Sequence, residues 1–252
     1  MKLLKTCCIY LFTAILSLNS VAFAACDDPP KRGVNWIGCD KQGADLQGAD
    51  LRRSLLNNVN LSGANLSGAN LRDADLGDAN FENAILEKAV LIDAHIGAAN
   101  FANAKMRNAK LESAQISRAD MTNVDLQQAN LEGTRAYATV LVGANLSEAV
   151  LDKANFDQAE MKGANLSNAS IKEASFLKTN LEEVRFGHAN LFKSRLDRSS
   201  LIDADFSHAD LTKANFYKAD IMGTIFDNAI LSHTIWLNRE RCKRHSVTEC
   251  IK

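Results

Sequence analysis

The side chains best suited to chemistry in this chain are cysteines, a pair of histidines and a group of basic residues near the C-terminal end. His188 and His208 are 20 residues apart, and two imidazoles brought together can share a metal ion or respond to pH. The chain has six cysteines, and any four thiols can form disulfides in three pairings or hold one zinc ion. We find no nucleophile–base pair, glycine-rich phosphate loop or established metal spacing. The sequence therefore predicts no catalytic activity, no cofactor and no dedicated metal site.

A five-residue repeat from Val34 to Asn238 decides where these side chains lie. Every residue whose number ends in 1 or 6, from Trp36 to Trp236, is the centre of one unit, which gives 41 units. Thirty-nine centres are large and apolar, and only Lys41 and Ala136 depart. A period of five fits neither the 3.6 of a helix nor the 2 of a strand. Such perfect repetition predicts stacked units that bury a core only between neighbours.

The runs 64–68 (Ala-Asn-Leu-Ser-Gly) and 74–78 (Ala-Asp-Leu-Gly-Asp) resemble the pentapeptide-repeat family. The family unit is Ala-Asp/Asn-Leu/Phe-polar-polar. The resemblance implies an all-β fold, a right-handed quadrilateral β-helix (a solenoid) of about ten coils, with four pentapeptides per coil and one per face. The centre and the small residue two positions before it would point inward, and the other three positions outward. We expect an N-terminal cap at 25–33, the β-helix at 34–238 and a C-terminal cap at 239–252.

Residues 1–24 have the features of a secretory signal peptide. Lys2 and Lys5 precede a short apolar core at 9–18, and Ala22-Phe23-Ala24 is a small-x-small cleavage site. The apolar stretch is short for a membrane span, so we expect none after the signal is removed. The sequence predicts an exported protein, periplasmic or secreted. The alternative is a lipid anchor at Cys26, because the four residues that end there faintly resemble a lipobox.

Removal of the signal would leave four cysteines in two close pairs at opposite ends of the expected rod. This arrangement favours the disulfides Cys26–Cys39 and Cys242–Cys250 and argues against a zinc site that needs all four together. Exported members of the family similarly carry a Cys followed by Gly-Val-x-Trp-x-Gly-Cys, and residues 33–39 match that motif. The disulfides would close the two end caps, and the first would occupy the thiol that a lipid needs.

Two outward features suggest an interaction surface. Lys178, Arg198 and Lys218 would stack in one ladder, with Lys193 and Lys213 on the next face. Such charges can hold an anionic glycan or a lipid headgroup. Acidic residues nearby in sequence favour the plainer interpretation of a mixed, solvated face.

The second feature is the final coil, whose outward positions are unusually apolar. Exposed apolar patches often mark interfaces, so this coil is a candidate contact for a homodimer. The alternative is that the C-terminal tail folds back over it. The residues concerned are Met222, Ile225, Ile230, Ile235 and Leu237.

The overall charge narrows the choice of function. Without Lys2 and Lys5 the chain has 27 basic and 30 acidic residues, so we expect no nucleic-acid partner. The sequence predicts a non-catalytic exported rod, a structural or protein-interaction scaffold in the cell envelope or secreted space, whose partner is an unidentified protein or envelope component. One alternative is a DNA-mimicking, topoisomerase-binding member of the family, which needs a cytoplasmic location. The other is a surface binder of anionic glycan or lipid.

Overall fold

The computed structural model describes residues 25–251 as a stack of coils joined by isolated β-bridges. Each parallel bridge pairs a residue with the one 20 positions later, from Asn35–Leu55 to Asn215–Ile235. One coil is therefore four five-residue units. Residues 25–251 contain no continuous strand or helix, because each unit supplies only one bridging residue and a two-residue turn. The expected signal peptide, 1–24, lies outside the described residues.

The corners of the coils are tight turns. The residue two positions after a centre has a positive φ from Gly38 to His233, at nine glycines and 31 other residues. The next amide donates back to the carbonyl of the centre, as from Ala64 N to Leu61 O at 3.0 Å. Positive φ at only the third turn position is the pattern of a type II turn. The chain can therefore turn a corner every five residues and keep its bridging residues in register.

The interior is filled by the centres and by the small residues two positions before them. Every centre from Leu51 to Phe216 is fully buried. Phenylalanines stack from coil to coil, with ring centroids 4.5 Å apart for Phe81 and Phe101. The inward orientation implied by the family resemblance is therefore what the structure has. Among residues 25–251, no helix is long and apolar enough to cross a membrane.

Backbone hydrogen bonds connect each coil to the next. The amide of a centre donates to the carbonyl 19 residues later, as from Leu131 N to Val150 O at 2.7 Å. The amide of the bridging residue donates back, as from Val150 N to Ala129 O at 3.0 Å. Side chains add to this ladder where a buried threonine is available. Thr134 Oγ1, for example, donates to Leu111 O at 2.9 Å.

At the N-terminal end, side chains and one backbone hydrogen bond, from Ala25 N to Asn35 O at 3.1 Å, hold the cap against the first coil. Lys41, the charged centre, directs its ammonium to the carbonyl of Cys26 and lies 4.3 Å from the ring of Trp36. Trp36 Nε1 in turn donates to Asp28 O at 3.2 Å. The departure of Lys41 from the repeat is thereby explained, because in the first coil the inward direction opens onto the cap.

The C-terminal tail returns antiparallel over the last coil. Ile230 bridges to Val247 and Ile235 bridges to Arg241. The returning tail covers two of the four units of that coil. In the other two units the centres Ile221 and Phe226 are only half-buried.

Candidate anion-binding face

The two basic ladders lie along the two edges of one face of the rod. Lys193 and Lys213 occupy the corner before the bridging residues Arg195 and Asn215, and the other ladder occupies the corner after them. We call this surface the basic face and define it as residues 173–178, 193–198, 213–218 and 233–241. It carries three acidic residues, Glu173, Asp197 and Glu240. Its eight basic residues are Lys178, Lys193, Arg195, Arg198, Lys213, Lys218, Arg239 and Arg241.

Few of these cations are neutralised by the described residues. Lys193 pairs with Glu173 at 3.1 Å, and Arg195 pairs with Asp197 at 3.3 Å. The nearby carboxylates of Glu182 and Glu183 instead pair with Lys162. Within residues 25–251, no carboxylate lies within ion-pair distance of the other six basic residues of the face. Most of the positive charge is therefore available to a partner.

The C-terminal end of the basic face contains two adjoining clefts. One, of about 300 Å³, is lined by Lys213, His233, Ile235 and Arg241. The other, of about 280 Å³, is lined by Asn215, Tyr217, Ile235, Arg239 and Arg241. Because Ile235 and Arg241 line both clefts, the two form one continuous trough with an apolar floor and cationic rims.

Aromatic rings hold several of the cations in place. The Arg239 guanidinium lies 4.3 Å from the centroid of the Tyr217 ring. Lys193 and Lys213 lie 5.2 and 5.5 Å from the ring of Phe192. Cation–π contacts at these distances restrain long side chains without neutralising their charge. The cations on this face are thus partly ordered before any ligand arrives.

The tail contributes Arg239 and Arg241 to the trough. Cys242 N donates to Thr234 O at 2.9 Å, and His233 N donates to Cys242 O at 3.2 Å. With the Ile235–Arg241 bridge, these bonds fix Arg241 on the basic face. Sequence reasoning did not find Arg239 or Arg241, because the tail has no repeat and its antiparallel return cannot be located by period. It also missed Tyr217 and His233, which lie within the repeat and become part of the trough only because the tail returns beside them.

The four cysteines of the described chain lie as two pairs at disulfide distance. The sulfurs of Cys26 and Cys39 are 1.97 Å apart, and those of Cys242 and Cys250 are 2.03 Å apart. The first pair joins the N-terminal cap to the first coil. The second joins the two limbs of the returning tail, next to Arg241.

The histidine pair stacks, but its geometry does not suit a shared metal. The rings of His188 and His208 are parallel within 2°, with centroids 4.8 Å apart. Parallel rings at that separation cannot both place a nitrogen about 2.0–2.1 Å from one zinc ion. Within residues 25–251, no three His, Cys, Asp or Glu side chains are grouped to hold a metal.

The apolar patch expected on the final coil is only partly present. Met222 is 66 % exposed, and Ile225 and Ile230 are 45 % and 43 % exposed. Ile235 and Leu237 are half-buried, and Leu237 packs against the core. Their inclusion in an exposed patch was wrong, because the tail folds back over this side of the coil.

The groups whose pKa is clearly shifted, Asp50, Arg52 and Lys162, lie away from the basic face. In the first coil, the side-chain hydrogen bond from Arg52 lowers the pKa of Asp50 to about 2. The same contact raises the pKa of Arg52. Hydrogen bonds to Glu183 and then Glu182 raise the pKa of Lys162. These are exposed ion pairs, which contribute little to stability and mark no reactive group.

Comparison with known proteins identifies the class to which this fold belongs. The family model described as pentapeptide repeats matches the chain in eight copies. The matched residues are 38–73, 74–112, 99–135, 129–168, 149–187, 159–198 and 189–228. The chain therefore belongs to the pentapeptide-repeat family. A search of curated proteins finds no significant match.

Several solved structures are similar to the chain. HetL, a pentapeptide repeat protein involved in heterocyst differentiation regulation in the cyanobacterium Nostoc sp. strain PCC 7120, is 29% identical, with a TM-score of 0.46 over 80% of this chain and 94% of its own. Rfr23, a pentapeptide repeat protein from the cyanobacterium Cyanothece 51142, is 26% identical, with a TM-score of 0.33 over 54% and 89%. QnrB1, a plasmid-mediated fluoroquinolone resistance protein, is 16% identical, with a TM-score of 0.41 over 77% and 91%. The family assignment rests on the sequence match alone.

Proposed function

We propose that this chain is a non-catalytic, exported pentapeptide-repeat rod that works through its outer surface as an interaction scaffold in the cell envelope or secreted space. The filled interior supports this proposal, since every centre from Leu51 to Phe216 is fully buried. No room remains inside the rod for a substrate, so a partner must be met on the faces. We also infer that its coils, about ten in number, wind right-handed with a square cross-section.

The two cysteine pairs at bonding distance support export. Disulfides persist in oxidising compartments such as the periplasm and the extracellular space, and are rare in the cytosol. The features of residues 1–24 point the same way. A lipid anchor at Cys26 is disfavoured by the partner that this sulfur already has in Cys39.

Fractionation of cells that express the full chain tests this proposal. We expect a mature N-terminus at Ala25, measured by mass spectrometry, in the envelope or medium fraction, and no thiol that reacts with an alkylating agent before reduction. A chain found in the cytosol with its leader intact and four free thiols at 26, 39, 242 and 250 would overturn export. That result would favour the topoisomerase-binding alternative, which no feature of the basic face supports.

The basic face favours a second candidate, the binding of an anionic glycan or lipid on the surface. Six of its eight basic residues have no carboxylate within ion-pair distance in the described chain. A solvated face with balanced charge pairs would not need this excess. The excess therefore supports an anionic partner for the exported rod.

A homodimer through the C-terminal coil remains a proposal supported by the exposed side chains of Met222, Ile225 and Ile230. Sedimentation of the full chain and of a chain that ends at Asn238 tests it. Dimers in both forms would support the contact, because the truncation leaves those three residues in place. Monomers in both forms would remove it.

A further inference from the structure

We propose that the trough at the C-terminal end of the basic face binds a linear acidic polysaccharide, with carboxylate or sulfate groups on its cationic rims and sugar rings over its apolar floor. The trough is lined by Lys213, Tyr217, His233, Ile235, Arg239 and Arg241, together with Asn215. This inference rests on the proposed function, because it names the partner class of the exported rod.

The positive charge of the trough favours an anion as its ligand. Lys213, Arg239 and Arg241 come from two different segments of the chain, the repeat and the returning tail. In the described structure, none of the three has a carboxylate within ion-pair distance. Guanidinium groups present a fork of donors that matches carboxylate and sulfate oxygens.

The floor of the trough favours a sugar polymer over a compact anion. Ile235 is half-buried between the two clefts, and the ring of Tyr217 lies beside it, under Arg239. A small inorganic anion has no apolar surface that could pack against this floor. A pyranose ring has an apolar face as well as polar edges, so it can cover Ile235 and direct its acidic group to the rim.

The length of the basic face favours a polymer over a single sugar. The unpaired cations Lys178, Arg198 and Lys218 continue from the trough along one edge, one per coil. Adjacent coils are spaced like strands, about 4.8 Å apart, which is close to the length of one sugar residue. A chain that lies along the axis can therefore meet a cation at each coil.

The distribution of apolar side chains argues against a membrane as the partner of this face. Ile225 lies ten residues, half a coil, from Ile235, and Met222 lies at a corner of that same far side. A bilayer that contacts the basic face would receive no exposed large apolar side chain from the opposite side. Stable attachment to lipid combines basic charge with apolar insertion. Of the three exposed apolar side chains of the last coil, Met222 and Ile225 lie away from the basic face and Ile230 lies on the face beside it, so none of the three projects from the basic face itself.

The C-terminal tail therefore has two roles in this proposal. It covers half of the last coil, and it supplies Arg239 and Arg241 to the trough. The Cys242–Cys250 pair begins one residue after Arg241. Removal of that disulfide would release the tail and with it two of the cations.

Binding of polygalacturonate, a linear polymer of uronic acid, tests the inference. The full chain is expressed and purified in the form that the cells accumulate. Polygalacturonate is then titrated into it at low salt and at physiological salt. We expect binding that weakens as salt rises, and no binding of neutral dextran. Arg239→Gln with Arg241→Gln should weaken binding about three- to tenfold, the loss of two exposed charge pairs.

Matched controls separate a site from overall charge. Lys105→Gln with Lys110→Gln removes the same two charges from exposed positions on other faces and should leave the affinity unchanged. Lys213→Gln tests the trough without touching the tail, so its loss of affinity does not depend on how the tail folds. Thermal unfolding and thiol alkylation show that each variant retains its fold and its disulfides.

Four outcomes would overturn the inference. These are no binding of polygalacturonate at millimolar sugar, equal losses in the Arg239/Arg241 and Lys105/Lys110 variants, equally tight binding of polyglutamate, and binding of phosphatidylglycerol vesicles without binding of the polysaccharide. Each leaves the proposed function standing if fractionation still finds the chain exported. A cytosolic chain that binds polygalacturonate would reverse that pattern, since it removes export and leaves the trough.

Discussion

The middle coils and the two ends of the rod differ in how the amides and carbonyls at the edge of a coil find hydrogen-bond partners. Between residues 55 and 214, each coil bonds to its neighbours through the same amides and carbonyls, and each core position repeats every five residues. At the N-terminal end, the charged centre Lys41 and the ring of Trp36 contact the cap. At the C-terminal end, a tail returns antiparallel over half of the last coil.

This difference shows where a repeat protein can acquire chemistry. In a middle coil, a new inward side chain must fit identical neighbours above and below, so the interior tolerates little change. At an end, one side has no such neighbour, and charged or irregular residues are accommodated. The trough that contains Arg239 and Arg241 lies where the repeat gives way to the tail.

The largest contrast is expected from the same charge placed inside the middle and inside the end. Leu131→Asp would bury a carboxylate at a fully buried centre, which costs several kcal/mol, about 4 or more. Ile221→Asp is at a half-buried centre of the last coil, where water reaches the carboxylate, so the loss should be less than about half as large. Chemical denaturation of both variants measures the difference. Equal losses would contradict the idea that the ends are more tolerant.

The next contrast concerns the disulfides, which act on the ends and not on the middle. Chain-entropy estimates give about 2–3 kcal/mol for loops of these sizes, 13 and 8 residues in separation. Cys242→Ser with Cys250→Ser should therefore speed amide hydrogen exchange in residues 221–236. Residues 101–150 should exchange as in the parent chain. The corresponding Cys26→Ser/Cys39→Ser variant should affect only the first coil, and faster exchange throughout the rod in either variant would argue against local action.

The same contrast explains how much could be predicted from sequence. The inward positions of Leu131 and Phe156 follow from the family resemblance together with the unbroken period, because each unit repeats the environment of the one before. The contribution of Arg241 to the basic face does not, since it depends on how a tail without a repeat folds back. For Ile235 the sequence left two interpretations open, an exposed patch or a surface beneath the returning tail, and only the structure, in which Ile235 bridges to Arg241 of the tail, decides between them.

A smaller effect is expected from buried hydroxyl groups in the middle coils. Thr134 Oγ1 donates to Leu111 O, so Thr134→Val should cost about 1 kcal/mol. Ser194 Oγ is buried without a hydrogen-bond partner in the described structure, so Ser194→Ala should be neutral or raise stability by up to about 1 kcal/mol. Equilibrium unfolding distinguishes the two signs. A loss in Ser194→Ala as large as that in Thr134→Val would mean that the serine hydroxyl has a partner.

The smallest contrast lies in the corners. The first three corners of the repeat are glycines, Gly38, Gly43 and Gly48, whereas most corners of the middle coils carry other residues at positive φ. Ala98 is exposed with φ of 57°, so Ala98→Gly relieves its Cβ strain, about 1–2 kcal/mol, and loses about 0.5–1 kcal/mol in chain entropy. We expect a net gain of about 0.5 kcal/mol in the free energy of unfolding. Ala102→Gly, at a corner position without positive φ, has only the entropic loss and should lower stability, so a decrease in both variants would show that the middle corners are not strained.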